Sequence, residues 1–183
     1  MKEIDKMRSQ QLYDFSDKEI DESIQHANCL CVKLQTMTSH SEGYRAVIEE
    51  LMPGIPKSTV VNPPFHCDHG HQIKLGEYVF INYNATILDS ASVTIGNHTK
   101  IGPNCQLVTP NHPIDYEQRR LPVETSFPIT IGEDCWIAAG VTICPGVTIG
   151  DRTVVAAGAV VTKDLPSDVL AAGCPAVVKR KLR

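Results

Sequence analysis

Aliphatic residues recur at every sixth position in two stretches of the chain. The C-terminal stretch carries one at each of six successive steps: Ile131, Ile137, Ile143, Ile149, Val155 and Val161. The N-terminal stretch repeats the spacing in two runs that are offset by a two-residue insertion: Leu75, Ile81, Ile87, Ile95, Ile101 and Leu107. A period of six matches neither an amphipathic helix nor a simple alternating strand. It is typical of a β-helix, in which each block contributes a short strand and a turn.

The residues beside these aliphatic positions predict how the coil closes. The position that follows each aliphatic residue is mostly small, as in Gly132, Ala138 and Gly150. Three blocks then form one triangular coil, in which the aliphatic side chains point inward and stack while the small residues let the chain turn its corners. The low aromatic content, 5% of all residues, agrees with a core that is too narrow for rings.

Interruptions of the repeat divide the chain. Residues 1–58 predict a helical appendage, residues 59–165 a parallel β-helix, and residues 166–183 a C-terminal tail with a basic end. Inside the β-helix, residues 108–128 have no six-residue register, and we expect an extruded loop there. A long loop in a regular repeat is usually functional. The predicted fold is therefore all-β dominated, with a small N-terminal helical appendage and one extruded loop.

Two helices are predicted in the appendage. Ser16 is followed three residues later by Glu19, which is the spacing of a capping box and predicts a helix that begins here and continues to about Thr38. Residues 41–52 predict a second helix, which Pro53 ends. Because a β-helix has open ends, we expect these helices to cap one of them.

Charge and composition exclude some classes of protein. The net charge of -4 and the pI of about 5.9 argue against a nucleic-acid partner. No apolar run approaches the roughly 20 residues that span a bilayer, and residues 1–10 are charged and lack the apolar core of a signal peptide. We therefore expect a cytoplasmic protein without a membrane partner, whose seven cysteines are buried free thiols.

His112 is the sharpest candidate for catalysis, because it lies in the predicted loop and outside the stacking positions. Histidine exchanges protons near neutral pH and can act as a general base toward a hydroxyl. Asn82 follows an inward aliphatic position, so its amide can form hydrogen bonds at a corner. Asp14 and Asp68 are carboxylates that could hold hydroxyl groups. The alternatives are an ordinary loop histidine, a corner amide, and carboxylates that only stabilise a helix or a turn.

A run of potential metal ligands lies between residues 66 and 71. It consists of His66, Cys67, Asp68, His69 and His71. Neighbouring residues of an extended chain point to opposite faces, so at most two or three of these side chains could converge on one ion. We expect no metal here, and a metal site stays as the alternative.

Motifs beyond the repeat run through nearly the whole chain in order. They are Leu12–Asp14, Pro63–Gly70, Phe80–Asn84, Asn111–Pro113, Ile131–Ile137, Pro145–Gly150 and Val161–Asp164. Together they resemble the hexapeptide-repeat acyltransferases, and more narrowly the maltose, galactoside and nodulation-type sugar O-acetyltransferases. The chain departs from that pattern at Ser90, where some relatives have an acidic residue, and at Val177, where some have an anchoring arginine.

The resemblance implies a left-handed parallel β-helix and a homotrimer with active sites between neighbouring subunits. It also implies that a hydroxyl of a maltose-, glucose- or galactoside-like sugar attacks the thioester of acetyl-CoA directly, with His112 as general base. Asn82, Asp14 and Asp68 would contact the acceptor. The residues implied for acetyl-CoA are Ala139, whose amide would face the thioester carbonyl, together with Ala157, Thr162, Lys163 and Arg180.

Two other functions fit parts of the sequence. A γ-class carbonic anhydrase has the same fold and needs three histidines around zinc at a subunit interface. His98 and His112 are available for it, and the third would come from His69 or His71. A catalytically inactive trimeric scaffold is the other alternative, against which the intact His112 and Asn82 argue.

Overall fold

A computed structural model describes the protein over residues 1–183. It contains four helices: α1 (Glu3–Arg8), α2 (Lys18–Leu34), α3 (Tyr44–Leu51) and α4 (Tyr116–Arg119). None of them combines the length and the apolar character that crossing a membrane requires. Short strands make up the remaining regular structure: β1 (Tyr13–Asp14), β2 (Val60–Val61), β3 (Phe65–Cys67), β4 (Ile73–Leu75), β5 (Phe80–Ile81), β6 (Ala85–Leu88), β7 (Val93–Ile95), β8 (Lys100–Ile101), β9 (Gln106–Val108), β10 (Pro110–Asn111), β11 (Val123–Ser126), β12 (Ile129–Ile131), β13 (Trp136–Ile137), β14 (Thr142–Ile143), β15 (Thr148–Ile149), β16 (Val154–Val155), β17 (Val160–Val161), β18 (Val169–Ala172) and β19 (Val177–Lys181).

Three sheets form the faces of a triangular β-helix. The first face has the strand order β19-β18-β16-β13-β8-β5-β2, the second β17-β14-β9-β6-β3, and the third β15-β12-β7-β4. Strands within a face are parallel, apart from the terminal pair β18 and β19. The chain visits the three faces in turn, so each coil adds one strand to every face. The β-helix predicted from the period of six is confirmed.

The inward aliphatic positions stack from coil to coil. The aligned sets are Ile95, Ile131 and Ile149 on the third face, Ile101, Ile137 and Val155 on the first, and Leu107, Ile143 and Val161 on the second. Each of these side chains is at most 1% exposed, and full burial of such a side chain contributes roughly 1.5–3 kcal/mol. Leu75, in the first coil, is only partly buried.

The corners of the β-helix define edges that matter for the site. We call the corner between the first and second faces the Asn82 edge; it comprises residues 62–64, 82–84, 102–104, 138–140, 156–158 and 172–174. The corner between the second and third faces is the His112 edge. At the Asn82 edge the backbone takes the left-handed conformation in four successive coils, at residues that tolerate it: Asn84, Asn104, Gly140 and Gly158.

The extruded loop leaves the β-helix at the His112 edge, where it was predicted. Its base is closed by the Phe127 N–H, which donates to the Thr109 carbonyl at 2.9 Å. Inside the loop, β10 and β11 form an antiparallel hairpin with α4 between them. The N-terminal strand β1 adds to the free side of β11. The loop and the N-terminus are therefore one three-stranded sheet.

The N-terminal helices cover the open end of the β-helix. Leu30 and Leu34 of α2 and Leu51 at the end of α3 belong to the same apolar cluster as Val61 and Phe65 of the first coil. The expected cap is thus present, together with a short helix, α1, that the sequence pattern did not predict.

The boundaries of these helices differ from the expected ones. The side chain of Asp17, not Ser16, accepts a hydrogen bond from the Glu19 N–H at 2.9 Å and caps α2, so the predicted capping box is wrong. The Ser16 hydroxyl instead donates to Asp14 at 2.6 Å. Helix α2 ends at Leu34, and α3 begins at Tyr44.

The C-terminal residues extend the first face. Strand β18 pairs in parallel with β16, and β19 folds back antiparallel along β18. All seven cysteines are free, but only Cys31, Cys67, Cys105 and Cys135 are buried. The expectation of buried thiols is therefore wrong for Cys29 and Cys174, which are exposed.

Candidate active site

A cleft of about 360 Å³ opens at the His112 edge. Its walls come from four separate parts of the chain: the N-terminal strand with α2, the turn after β3, the end of β6 with the turn that follows it, and the extruded hairpin. The polar lining consists of Asp68, His69, Ser90, His112 and Glu124, set among the apolar parts of Tyr13, Phe15, Ile20, Ile24, Leu88 and Pro110. A few converging polar groups in a mainly apolar cleft are typical of a small-molecule site.

His112 directly follows β10 and is held by two neighbours. Its Nε2 lies 3.8 Å from Oε2 of Glu124, and its ring meets the Phe15 ring edge-on with 5.9 Å between the centroids. The His112 side chain is 56% exposed, whereas that of Glu124 is 13% exposed. A carboxylate so placed stabilises the imidazolium that forms when the histidine accepts a proton.

Glu124 is a functional candidate that the sequence did not reveal. Its other oxygen, Oε1, accepts a hydrogen bond from the Tyr13 hydroxyl. Tyr13 is 1% exposed, and burial raises the pKa of its phenol, so the hydroxyl stays a donor. The pairing of β1 with β11 places Tyr13 opposite Glu124 although the two residues are far apart in the chain. The chain offered no local pattern that could predict this contact.

Asp68 lies deeper in the cleft, beside a second carboxylate. Burial, together with the negative charges of Asp89 and Glu124, raises the pKa of Asp68 to about 7. Asp89 is completely buried and accepts backbone hydrogen bonds from Asp68 at 3.1 Å, His69 at 2.8 Å and Gln72 at 3.2 Å. Asp89 therefore shapes the turn that presents Asp68, and Asp68 can hold an acceptor hydroxyl as donor or as acceptor.

We expect Asp68→Asn to flatten the pH dependence of stability. The pKa of Asp68 is raised from 3.8 in the unfolded chain to about 7 in the folded protein. Stabilisation by the protonated carboxyl is therefore complete below pH 3.8 and is lost as the pH rises toward 7, by at most about 1.4 kcal/mol per pH unit. Urea unfolding at pH 5 and pH 8 measures this. The difference in free energy of unfolding between variant and wild type should shift in favour of the variant by at least roughly 1 kcal/mol from pH 5 to pH 8. Asp21→Asn, on the exposed side of α2, is the control, and equal pH profiles of Asp68→Asn and wild type would contradict the assignment.

His69 contributes a buried imidazole to the wall of the cleft. Its Nδ1 lies 2.9 Å from the Ser23 hydroxyl of α2, and its Nε2 has no hydrogen-bond partner within the chain. Burial, followed by the positive charges of His71 and Arg8, lowers the pKa of His69 to about 4. The ring is thus neutral near pH 7. The His69 and His71 rings lie edge to face with 5.6 Å between their centroids.

The residues considered as metal ligands do not converge. No group of three or more His, Cys, Asp or Glu side chains has a geometry that could hold an ion. His98, the other histidine considered for a zinc site, lies at the remaining corner and stacks on Tyr78 with 5.0 Å between the ring centroids. That corner joins the third face to the first and does not carry His112.

A continuous backbone ladder runs along the Asn82 edge. The N–H of Asn82 donates to Ile101, and in the following coils Gly102 donates to Ile137 and Ala138 to Val155, at distances of 2.9, 2.7 and 2.9 Å. A Cβ on Gly102 would lie 2.7 Å from the backbone of Ala138 and Ala139, so this position requires glycine. Ala139 and Ala157 are exposed on the same edge. Their methyl groups leave the backbone open to a long, thin ligand.

The predicted site residues fall on two edges. Asn82, Ala139 and Ala157 lie on one, whereas Asp68 and His112 lie on the other, as do Thr162 and Lys163 after β17. The second face separates them by about five extended residues, roughly 15 Å. A single chain therefore does not bring Asn82 to His112.

Two predicted residues lie outside both sets. The Asp14 carboxylate accepts hydrogen bonds from the Ser16 N–H at 2.8 Å and from its hydroxyl at 2.6 Å, and it does not line the cleft. Arg180 is exposed on β19, opposite Leu170 of the first face. The roles suggested for Asp14 and Arg180 stay predictions.

Known proteins share both the repeat and the whole fold. A family model described as bacterial transferase hexapeptide (six repeats) matches residues 128–163. The chain is 42% identical over 144 residues to the galactoside O-acetyltransferase of Escherichia coli, and the aligned region covers 79% of this chain and 71% of that protein. A hexapeptide-repeat acetyltransferase of Vibrio cholerae complexed with acetyl coenzyme A is 39% identical, with a TM-score of 0.92 and full coverage of both chains. A maltose O-acetyltransferase of Clostridium difficile is 34% identical, with a TM-score of 0.96 and coverage of 100% of this chain and 98% of the other.

These similarities extend over the coils, the N-terminal helices and the extruded loop alike. The resemblance first seen in the motifs is thereby confirmed, and with it an O-acetyltransferase as the class of enzyme. The chain belongs to the hexapeptide-repeat acetyltransferases, in the group of the galactoside and maltose O-acetyltransferases.

Proposed function

We propose that the protein transfers the acetyl group of acetyl-CoA directly to a hydroxyl of a sugar, with His112 as general base, in a homotrimer whose active sites lie between subunits. The observation that carries the proposal is the pairing of His112 with Glu124 in a polar cleft at one edge of the β-helix. Membership in the family supports acetyl-CoA as the donor. The related acetyltransferase that was solved with acetyl coenzyme A has the same fold over its full length.

In the proposed reaction, His112 removes the proton of the acceptor hydroxyl as its oxygen attacks the thioester carbonyl. The new C–O bond forms, the tetrahedral intermediate collapses, and the C–S bond breaks. The sulfur of CoA then takes the proton from the imidazolium. Glu124 holds the ring and stabilises its positive charge between the two transfers. Because the hydroxyl attacks the thioester itself, no acyl-enzyme forms.

The acceptor is placed in the cleft by its polar wall. Asp68 and Ser90 face the space beside His112, and such groups hold sugar hydroxyls by hydrogen bonds that are strengthened when one partner is charged. Asp14 and Asn82 are the further acceptor contacts that we propose. The apolar side chains of Tyr13, Phe15 and Leu88 suit the C–H faces of a sugar ring.

The donor lies along the Asn82 edge in this proposal. Small side chains at Ala139 and Ala157 let the pantetheine arm approach the backbone, and the Ala139 amide stabilises the oxyanion. In this arrangement Thr162 and Lys163, from the His112 edge of the neighbouring subunit, hold the nucleotide end together with Arg180; all three side chains are exposed.

The separation of the two edges supports a trimer. A ring of identical subunits is built from heterologous contacts, in which one edge of each subunit meets a different edge of the next. Contact between the Asn82 edge of one subunit and the His112 edge of its neighbour unites the two sets of predicted residues. Free cysteines, of which Cys29 and Cys174 are exposed, suit a reducing compartment, and we place the protein in the cytoplasm.

A screen of acceptors tests the proposed function. The purified protein is incubated with acetyl-CoA and one of glucose, galactose, glucosamine, maltose or lactose, and the release of free CoA is followed. We expect release with at least one sugar, well above the rate without an acceptor, and an O-acetyl ester in the product. Release that no sugar accelerates would contradict the proposal, and zinc-dependent hydration of CO₂ would favour the carbonic anhydrase instead.

A further inference from the structure

A second concavity lies at the N-terminal end of the Asn82 edge and has no place in the mechanism above. It has a volume of about 480 Å³, within the range of roughly 300–1,000 Å³ that is usual for ligand sites. Its lining includes Met37, His40, Asn62, Pro63, Phe80 and Tyr83. The segment after α2 forms one side, and the first two coils form the other.

The concavity adjoins Asn82, because Phe80 and Tyr83 on either side of that residue line it together with Asn62 and Pro63 of the preceding coil. The Asn62 N–H donates to the Ile81 carbonyl at 2.8 Å, and the Asn84 N–H donates to the Pro64 carbonyl at 2.9 Å, so residues 62–64 lie directly on residues 82–84. The backbone hydrogen bonds that link the coils from Asn82 to the corner with Ala139 run in the opposite direction, toward the C-terminal end of the β-helix. Asn82 thus separates the proposed donor groove from this concavity, and a ligand that extends from Asn82 away from acetyl-CoA enters it.

The lining suits a ring with both polar and apolar faces. Two aromatic side chains line it: Tyr83 is 54% exposed, and Phe80 is partly buried. Aromatic side chains of this kind offer large apolar surfaces with little loss of conformational freedom on binding. The amide of Asn62 and the imidazole of His40 add hydrogen-bonding groups at the rim. Few charges are present, which disfavours a phosphate or an acidic peptide.

We propose that this concavity binds a second sugar ring of the acceptor, so that the preferred substrates are disaccharides or longer glycosides. The inference rests on the proposed function, because it assumes that Asn82 contacts the sugar that is acetylated. The first ring lies between Asn82 and His112, and the glycosidic substituent of that ring occupies the concavity.

Ring-number selectivity tests the inference. Values of kcat/KM are measured for a monosaccharide and for the disaccharide that carries the same reacting ring, chosen from galactose with lactose or glucose with maltose. For wild type we expect the disaccharide to be better by at least about tenfold, which corresponds to roughly 1.4 kcal/mol. In Tyr83→Ala this ratio should fall at least about fivefold through a higher KM for the disaccharide, with the monosaccharide values changed less than about twofold.

The matched controls lie on the same and on another edge. Asn62→Ala, in the same concavity, should reduce the ratio in the same direction. Tyr78→Ala removes an aromatic side chain that is 59% exposed at a different corner, and it should leave the ratio unchanged. The KM for acetyl-CoA should not change in any of the three variants.

The outcomes separate this inference from the function on which it rests. The second-ring site is overturned if sugars with one and two rings are acetylated with equal kcat/KM, or if Tyr83→Ala and Asn62→Ala leave the ratio unchanged. Either result leaves the proposed sugar acetyltransferase activity standing. Absence of transfer to any sugar overturns both. Loss of the trimer in Tyr83→Ala, measured by sedimentation, would show that a neighbouring subunit fills the concavity and would also overturn the proposal.

Discussion

Replacing His112 with alanine should lower kcat/KM for acetyl transfer by roughly 10²–10⁴-fold, because the attacking hydroxyl loses the group that takes its proton. The residual rate would come from binding and from the amides that face the oxyanion, which the substitution leaves in place. Steady-state kinetics with an acceptor that the screen identifies, with CoA release as the signal, measure the effect.

The fold should tolerate this change. His112 contacts Phe15 and Glu124 in the extruded loop and makes no contribution to the stacked core. The affinity for acetyl-CoA, measured by calorimetry, should therefore stay within about twofold of wild type. His26→Ala, on the exposed surface of α2, is the control and should keep full activity. A kcat/KM of His112→Ala within about threefold of wild type would remove His112 from the mechanism and favour a metal-dependent or inactive alternative.

Mixed trimers of two inactive variants should regain activity, because the proposed site takes His112 from one subunit and Asn82 from the next. Asn82→Ala is expected to lower the rate by about 10–100-fold, less than His112→Ala, since it positions the acceptor and transfers no proton. When the two variants are unfolded together in equal amounts and refolded, half of the subunits carry His112 and half carry Asn82. About a quarter of the sites then contain both native residues, and the activity should reach about a quarter of the wild-type value.

The control for this experiment uses two residues of one cleft. Asp68 and His112 line the same cleft within a single chain. A mixture of His112→Ala with Asp68→Ala therefore creates no intact site. Its acetyl-transfer activity should not exceed the mean activity of the two variants measured separately. Recovery in this control, or no recovery in the His112 and Asn82 mixture, would refute the arrangement of the site between subunits. Light scattering must give the mass of a trimer in all preparations.

The six-residue period predicted most of the fold, because every coil of a β-helix has the same local requirement. Each inward position, such as Ile137, needs only an aliphatic side chain that stacks on the equivalent residue of the next coil. The loss of that register after Leu107 located the loop with His112 in it. Local signals were weaker in the appendage, where both Ser16 and Asp17 are able to cap α2. In the structure the Asp17 side chain does so.

The site was only partly predictable, because its contacts join segments with no common pattern. Tyr13 bonds to Glu124 across 111 positions of the chain, and Asp89 bonds to the backbone of the turn that carries Asp68. Neither Glu124 nor Asp89 lies in a periodic series that marks it. Antiparallel pairing of β1 with β11 and burial next to other carboxylates gave these residues their neighbours and raised the pKa of Asp68 to about 7.

By itself, the sequence determined the β-helix, the place of its extruded loop and the histidine in that loop, because an inward aliphatic residue at each sixth position is a local requirement of the stacked core. The tertiary structure alone decided that Glu124 supports the histidine and that a second concavity adjoins Asn82. These contacts join segments that are distant in the chain, and the distance from Asn82 to His112 is set by the width of a face rather than by any spacing along the chain.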